Sequence, residues 1–315
     1  MAERLGGMLV FDAAAVRAQL SYEAAIPVVR QAMIDLSDGR VRQHLRSFIG
    51  LGEGRTFAIM PAALSDRGRF GAKLVSVFHD GRGRKAHEGL VVLFDGESGA
   101  PVCLADAAEV TAIRTAAASA VATDALARKD ASVLAVLGTG RQAEAHMRAI
   151  RQVRALSEVR VWGRDPARTA AFAHRVGAAA ADARSVVEGA DIVCTVTAAA
   201  DPILASAWIA PGTHVNVVGS SGPAQAEIDT ELVARSRFVV DHREHVLAHG
   251  GEFLRARAAG AVDDAHIAAE IGEVLAGRVA GRRSDAEVTV YKSLGHAVQD
   301  LAAVSWLYGR DAGCA

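Results

Sequence analysis

The chain has 315 residues, 51% hydrophobic, 5% aromatic and 23% charged, with a formal net charge of −1 at pH 7. That length suffices for two domains and a large buried core, and a near-neutral charge lacks the basic footprint of a nucleic-acid-binding surface. No apolar run has the length that spans a bilayer, and Met1 to Phe11, with Glu3, Arg4 and two glycines ahead of its apolar residues, is not expected to be a signal peptide. Three cysteines, Cys103, Cys194 and Cys314, are odd in number and far apart, and Cys194 lies inside an apolar run. A packed thiol in a reducing cytoplasm is the expectation.

Taken in chain order, Ser21 caps a predicted helix that runs to about Ser37, with Gly39 just beyond its end. Segments 42–50, 55–60, 70–78, 89–94 and 100–104 read as strands, and Asp95-Gly96-Glu97-Ser98-Gly99 joins the last two as a hairpin. The Gly- and charge-rich segment 77–85 reads as a loop over a substrate pocket. No helices alternate with these strands, so this part stands outside any nucleotide fold.

From about Ala116 helix and strand patterns alternate, with strands predicted at 133–137, 159–162, 191–196, 214–218 and 237–240. Such alternation makes a doubly wound parallel sheet. The segment 295–308 is again an amphipathic helix, expected to return to the N-terminal part. The predicted class is therefore α/β: a Rossmann doubly wound parallel sheet over residues 116–291, plus a discontinuous α+β domain from residues 1–115 and 292–315.

The run Val133 to Leu137 ends in Gly138-Thr139-Gly140-Arg141-Gln142-Ala143, and an amphipathic pattern follows to about Leu156. A strand, a tight turn and a helix in that order present backbone N–H groups and a helix N-terminus to a pyrophosphate. Gly138 permits the turn, Gly140 lets the backbone approach the phosphates, and Ala143 keeps the helix close to the strand. The second strand leads into Gly163-Arg164-Asp165-Pro166-Ala167-Arg168. Arginine there accommodates a 2′-phosphate where an acidic residue would bond the ribose hydroxyl, so Arg164 and Arg168 favour NADP over NAD, unless both are merely solvated. Asp165 has a second use as the N-cap ahead of a proline at the first helical position. His242, His245 and His249 have spacings that put them on one side of a helix, but a solvated helix is expected there and no metal site.

Two further blocks stand beside the glycine loop, residues 104–120 around Arg114-Thr115-Ala116-Ala117 and residues 287–302 around Lys292-Ser293-Leu294-Gly295. With Val217-Val218-Gly219-Ser220-Ser221-Gly222-Pro223 ahead of Glu227-Ile228-Asp229, they resemble the ornithine cyclodeaminase/mu-crystallin family across nearly the whole chain. The resemblance implies a homodimer formed through the β-sheet of the discontinuous domain, and a small amino- or imino-acid ligand. It implies that basic residues hold the substrate carboxylate, and Arg46, Lys73 and Arg114 match those positions. A guanidinium pairs with a carboxylate in a planar, bidentate way that orients the adjacent carbon. Lys73, on a β-rich stretch between apolar neighbours, is also the candidate catalytic proton donor through a lowered pKa. His87 falls in a stretch that resembles the family, where it faces the substrate or serves structure.

The family's ornithine-cyclising members carry an aspartate shortly after the fifth Rossmann strand, where this chain has Ser221, placed at the substrate. They also use a glutamate near the strand before Met60-Pro61, and residues 55–61 here hold no carboxylate. A serine without an activating partner is no general base near neutrality. The sequence thus resembles the reductase and dehydrogenase members, which implies NAD(P)H-dependent reduction of an α-imino acid to the L-amino acid. The nicotinamide is expected near Thr195, Val196 and Thr197 and near Val218, Gly219 and Ser220. The alternatives are an ornithine cyclodeaminase, an alanine-dehydrogenase-like enzyme and a non-catalytic, crystallin-like binding protein.

Overall fold

A computed structural model describes residues 3–64, 68–79 and 85–312. The chain divides into two compact units, Met1–Arg114 with His296–Ala315, and Thr115–Gly295.

The first unit opens with two short strands that have no counterpart among the predicted elements, β1 (Glu3–Leu5) and β2 (Met8–Phe11). They pair antiparallel around Gly6 and Gly7, whose φ angles of 55° and 91° suit glycine. Helix α1 (Ala13–Gln19) is capped by Asp12, which accepts from the Ala15 N–H at 2.7 Å. Helix α2 (Tyr22–Ser37) starts at the expected cap, Ser21, which accepts from the Ala24 N–H at 3.3 Å. Strands β3 (Arg42–Gln43), β4 (Ser47–Gly52), β5 (Arg55–Leu64), β6 (Arg69–His79), β7 (Lys85–Phe94) and β8 (Pro101–Asp106) follow, and then helix α3 (Ala107–Leu126).

Among the described residues the first sheet has the order β1-β2-β8-β7-β6-β5-β3, with β4 also on β5. Its pairs are antiparallel apart from β2 with β8. The single strand expected over 42–50 is broken at residues 44–46. Gln43 pairs with Ala62 and Ser47 with Ile59, so three residues face two, one of them Pro61, which has no N–H to donate. The loop expected over 77–85 is also corrected: β6 runs through His79 and β7 starts at Lys85, because the ladder continues to the His79–Lys85 pair. Residues 80–84 of that segment lie outside the described residues, as does Cys314.

The second unit alternates as its periodicity predicts. Its elements are β9 (Val133–Leu137), α4 (Arg141–Ile150), β10 (Glu158–Trp162), α5 (Pro166–Val176), β11 (Ala179–Ala180), α6 (Ala183–Val187), β12 (Ile192–Thr195), β13 (His214–Val217), α7 (Thr230–Arg235), β14 (Arg237–Val240), α8 (Arg243–His249), α9 (Gly251–Ala258), β15 (Ile267–Glu270), α10 (Ile271–Leu275) and β16 (Thr289–Lys292). The sheet is parallel throughout, in the order β11-β10-β9-β12-β13-β16-β14-β15. Strand β16, absent from the predicted elements, sits between β13 and β14. The last helix, α11 (Ala297–Asp311), belongs to the first unit, where it packs on β5, β6, β7 and α2.

Two apolar layers hold this sheet. Leu134 and Val136 join Ala143, Met147 and Ile150 of α4 on one face, while Ala135, Leu137, Val215, Val290 and Phe238 join Val246 of α8 and Phe253 of α9 on the other. Each such buried valine, leucine, isoleucine, methionine or phenylalanine contributes about 1.5–3 kcal/mol. Helix α4 ends at Ile150 rather than near Leu156, because Arg154 turns inward and donates to the carbonyls of Thr123, Ala127 and Arg128. The segment Asp241 to His249 is not the solvated helix expected: His245 is 2% exposed and Val246 fully buried. No helix among the described residues is long and apolar enough to cross a membrane.

Two buried histidines of this unit give the fold a pH dependence. His146 of α4 donates from Nδ1 to the Gln142 carbonyl at 2.7 Å and meets Ser119 Oγ at 2.9 Å, and burial pulls its pKa from 6.5 down to about 4. His214 of β13, beside Thr289 and Asn216, is lowered to about 3 by burial, with the Arg282 charge adding to it. Below pH 6.5 the unfolded chain binds a proton at each site while the fold does not until about pH 4 and 3. Stability contributed by the neutral imidazoles is thus present at neutral pH and lost as pH falls, by about 1.4 kcal/mol per unit for each histidine in that window. Melting temperatures measured from pH 7 to 5 should fall, and less steeply for His146→Gln; an unchanged slope in that variant would rule His146 out as a source.

Candidate functional site

In the second unit the glycine turn has the expected shape. Gly138 has φ of 140°, and a Cβ there would lie 2.8 Å from Val196 Cγ2 and 2.9 Å from the Val196 carbonyl oxygen. Its N–H donates to the Trp162 carbonyl at 2.8 Å, which closes the turn against β10. A Cβ at Gly140, in contrast, would meet nothing within 4 Å. Gly140 is the N-cap of α4 and gives it no side-chain hydrogen bond, and the Ala143 N–H turns back onto the Gly140 carbonyl at 3.0 Å, so the helix starts on backbone without a capping side chain. Ala143 itself is fully buried against β9. Open room at Gly140, ahead of an uncapped helix start, suits the pyrophosphate of a dinucleotide.

The ribose end of the cradle is equally defined. A Cβ at Gly163 would come within 2.8 Å of Thr139 Cγ2 and of Thr169 Oγ1, so glycine lets the end of β10 close on the turn. Asp165 caps α5 as expected, accepting from the Arg168 N–H at 3.1 Å. Arg164 and Arg168 are both exposed beside it.

The ends of β12 and β13 are tied by a residue to which sequence reasoning assigned no role. Glu227, fully buried, accepts from Thr195 Oγ1 at 2.9 Å, Thr197 N at 2.7 Å, Thr197 Oγ1 at 2.8 Å, Gly219 N at 2.6 Å and Ser220 N at 3.3 Å. Burial raises its pKa, opposed by the Thr197 donors and the Lys292 charge. Lys292 of β16, also fully buried, donates to the Ser220 carbonyl and hydroxyl at 2.6 Å each and pairs with Glu252 of α9 at 2.9 Å; Ser220 Oγ in turn donates to Glu252. The hydroxyls of Thr195, Thr197 and Ser220 therefore face inward, and these residues shape the strand ends. Val196, Val218 and Gly219 are half-buried there, with Ser221 half-buried just after.

In the first unit the structure brings Lys73 and Arg114 together. Lys73 lies on β6 between Met60 of β5 and Val91 of β7, and is 4% exposed. Its Nζ donates to Thr111 Oγ1 at 2.5 Å and to Asp300 Oδ1 at 3.3 Å. Arg114, one helical turn beyond Thr111 on α3, donates from Nε to the same Asp300 oxygen at 2.9 Å and from Nη1 to Gln299 Oε1 at 2.8 Å. A guanidinium has five N–H donors, so others remain for a ligand carboxylate. Arg46 lies in the step between β3 and β4, half-buried, with its charge acting on Lys73. Burial is the largest cause pulling Lys73 from 10.5 down to about 8; Arg114 and Arg46 add to it, and Asp300 opposes it. His87 lies on β7 opposite Val77, and its side chain falls outside the described residues.

Asp300, Glu227 and Glu252 are the participants that sequence reasoning missed. Asp300 had one visible signal, since Gln299-Asp300 is a polar pair inside the apolar run of α11, and both side chains prove fully buried. Together the first unit holds two buried cations on one carboxylate, one of them a lysine of lowered pKa, and the second holds the glycine turn and uncapped helix start described above.

The ornithine cyclodeaminase/mu-crystallin family model matches residues 8–313. The mouse ketimine reductase mu-crystallin is 36% identical over 293 residues, covering 90% of each chain. Among solved structures, Thermococcus litoralis Δ1-pyrroline-2-carboxylate reductase in complex with NADH and L-proline superposes with a TM-score of 0.91 at 31% identity, covering 97% of this chain and 98% of that one. An archaeal alanine dehydrogenase dimer with bound NAD gives 0.89 at 30% identity, covering 98% and 97%. The chain belongs to the ornithine cyclodeaminase/mu-crystallin family.

Proposed function

We propose that the protein is an NAD(P)-dependent oxidoreductase that reduces the C=N bond of an α-imino acid to the L-amino acid. Cyclic ketimines such as Δ1-pyrroline-2-carboxylate or Δ1-piperideine-2-carboxylate are the substrates of choice. The observation that carries this reading is Lys73, a buried lysine lowered to about 8 and held beside Arg114. Arginine keeps its proton throughout this range and lysine does not, so the pair divides into an anion holder and a proton donor. The bound reduced nicotinamide supplies the hydride. Arg114 and Arg46 hold the substrate carboxylate, and Lys73 gives a proton from Nζ to the imine nitrogen and is recharged from water. Ser221, and the absence of any carboxylate from β5 (Arg55–Leu64), support reduction over ornithine cyclisation.

The reading is checked with purified protein, a panel of cyclic ketimines, and 2-oxo acids with amines, following reduced-cofactor absorbance. Turnover of at least one cyclic ketimine is expected. Lys73→Ala should lower kcat by about 10²–10⁴-fold while dinucleotide binding persists. A carrier would show no turnover to lose, and proline formation from ornithine without added reductant would replace this reading with cyclodeaminase activity.

NADPH is the proposed donor, supported by Arg164 and Arg168 at the end of β10 with no acidic side chain leaving that strand before Asp165, which is used as a cap. The double variant Arg164→Ala/Arg168→Ala should raise KM for NADPH by about tenfold or more, the scale of one charge-assisted hydrogen bond, with little change for NADH. Equal effects on the two cofactors would remove the preference.

A homodimer is proposed through the first sheet. One face packs under α11, while Phe70, Leu74 and Phe78 of β6 and Leu90 of β7 line the other, and Ile49 of the adjoining β4, on that same face by register, is 51% exposed. An uncovered antiparallel face is ordinarily polar, and a contiguous apolar one marks an interface. Sedimentation equilibrium should give a dimer, and Ile49→Asp with Phe78→Asp should shift it toward monomer; a monomeric wild type would end this proposal.

A further inference from the structure

The first unit gathers positive charge: Lys73 from β6 and Arg114 from α3, both buried, and the half-buried Arg46 from the step after β3. The groups beside Lys73 on β5 and β7 are Met60 and Val91, which carry no charge. From α11 comes Asp300, fully buried, whose Oδ1 is shared by Lys73 at 3.3 Å and Arg114 at 2.9 Å. Its other oxygen, Oδ2, is buried with no hydrogen-bond partner among the described residues. An acid present only to stitch α11 to its surroundings would satisfy both oxygens, because an unpaired buried acceptor is destabilising. The side chain instead directs its hydrogen bonds to the two cations of the site.

We propose that Asp300 is a positioning residue for imine reduction: one carboxylate oxygen holds the Lys73 ammonium and the Arg114 guanidinium in a single arrangement, so that the proton donor and the carboxylate holder keep a fixed separation. The inference rests on the reduction reading above and deepens it. Asp300 also answers the charge balance. Three cations without a buried counter-charge would drive the one that can lose its proton, Lys73, to do so before substrate arrives. Asp300 acts on Lys73 through both its charge and its hydrogen bond, each in the direction that keeps the ammonium charged, against burial, Arg114 and Arg46. The proton is then present on Nζ when the imine binds. Transfer breaks the Nζ–H bond and forms the N–H bond on the substrate, with the electron pair of the broken bond left on Nζ.

Asp300→Asn keeps the shape and removes the charge, and Asp300→Glu restores the charge on a longer arm. The chain has four lysines, Lys73, Lys85, Lys129 and Lys292, so ε-carbon-labelled lysine gives four NMR resonances to follow with pH in the full chain. The Lys73 resonance is expected to titrate near 8 in the wild type and about 1 to 3 units lower in Asp300→Asn, the size of losing an adjacent opposite charge. Asp300→Glu should recover most of that shift. In kinetics, the high-pH limb of kcat/KM should move down with the Lys73 titration. A folded Asp300→Asn chain with an unmoved Lys73 titration would overturn the proposal, and so would a variant that fails to fold, since Asp300 would then serve stability. A wild type that reduces no imine while Lys73 shifts as described would instead defeat the reduction reading and leave the Asp300–Lys73 coupling standing.

Discussion

A charge taken out of water must be matched, and both units of this chain are organised by that requirement. In the first unit Asp300 faces Lys73 and Arg114, and in the second Lys292 lies beside Glu252, with its charge also acting on Glu227. Each cluster draws on elements distant in the chain: β6, α3 and α11 in one, and β16, α9 and the ends of β12 and β13 in the other. Removing one member of such a group leaves another charge buried and unmatched, at a cost of about 3–5 kcal/mol. The clusters therefore lock the register of their elements as well as supplying chemistry.

The strand ends of the parallel sheet show two opposite uses of the same backbone. Ligands of such sheets bind beyond the carboxyl ends of the strands, where N–H groups leave the ladder. After β12 and β13 those N–H groups, at Thr197, Gly219 and Ser220, are taken by Glu227, so that part of the rim is closed and rigid. After β9 the opposite holds, because α4 begins at Gly140 without a side-chain cap and with open space where a Cβ would project. The start of α4 thus offers open space and an uncapped helix end, whereas the ends of β12 and β13 present N–H groups already bonded to Glu227. Asp241 repeats the closed arrangement beside β14, accepting from the Leu294 and Gly295 N–H groups at 2.5 and 2.8 Å. The Lys292-Ser293-Leu294-Gly295 block is thereby tied down at the end of a central strand.

What the sequence makes legible follows from which forces are local. The alternation that builds the parallel sheet and the Ser21 and Asp165 caps are set by nearest neighbours, and each appears where the pattern places it. Strand β16 takes its place between β13 and β14 by pairing with segments 75 and 52 residues away. The break at residues 44–46 depends on Pro61 across the sheet, and the buried side of α8 on a partner layer. The site divides along the same line. Lys73 and Arg114 are visible as basic residues in apolar or Ala-rich surroundings, but their carboxylate is 227 and 186 residues away, and only the folded chain brings it to them.

The choice between the two basic side chains is itself an argument about chemistry. With 35 lysines and arginines in all, the chain has only four lysines, and two of them, Lys73 and Lys292, are buried. Arginine is the better partner for a buried carboxylate, since its planar fork makes paired bonds and stays charged. Lysine is retained where something else is needed. At position 292 the ammonium donates to the Ser220 carbonyl and hydroxyl and makes an ion pair with Glu252. At position 73 the same compact ammonium meets Thr111 and Asp300, and its pKa is drawn to about 8, where a proton can be both held and released. Arginine at 73 would keep the charge and lose the release. The first unit thus sets an arginine and a lysine of lowered pKa on one shared carboxylate, Asp300.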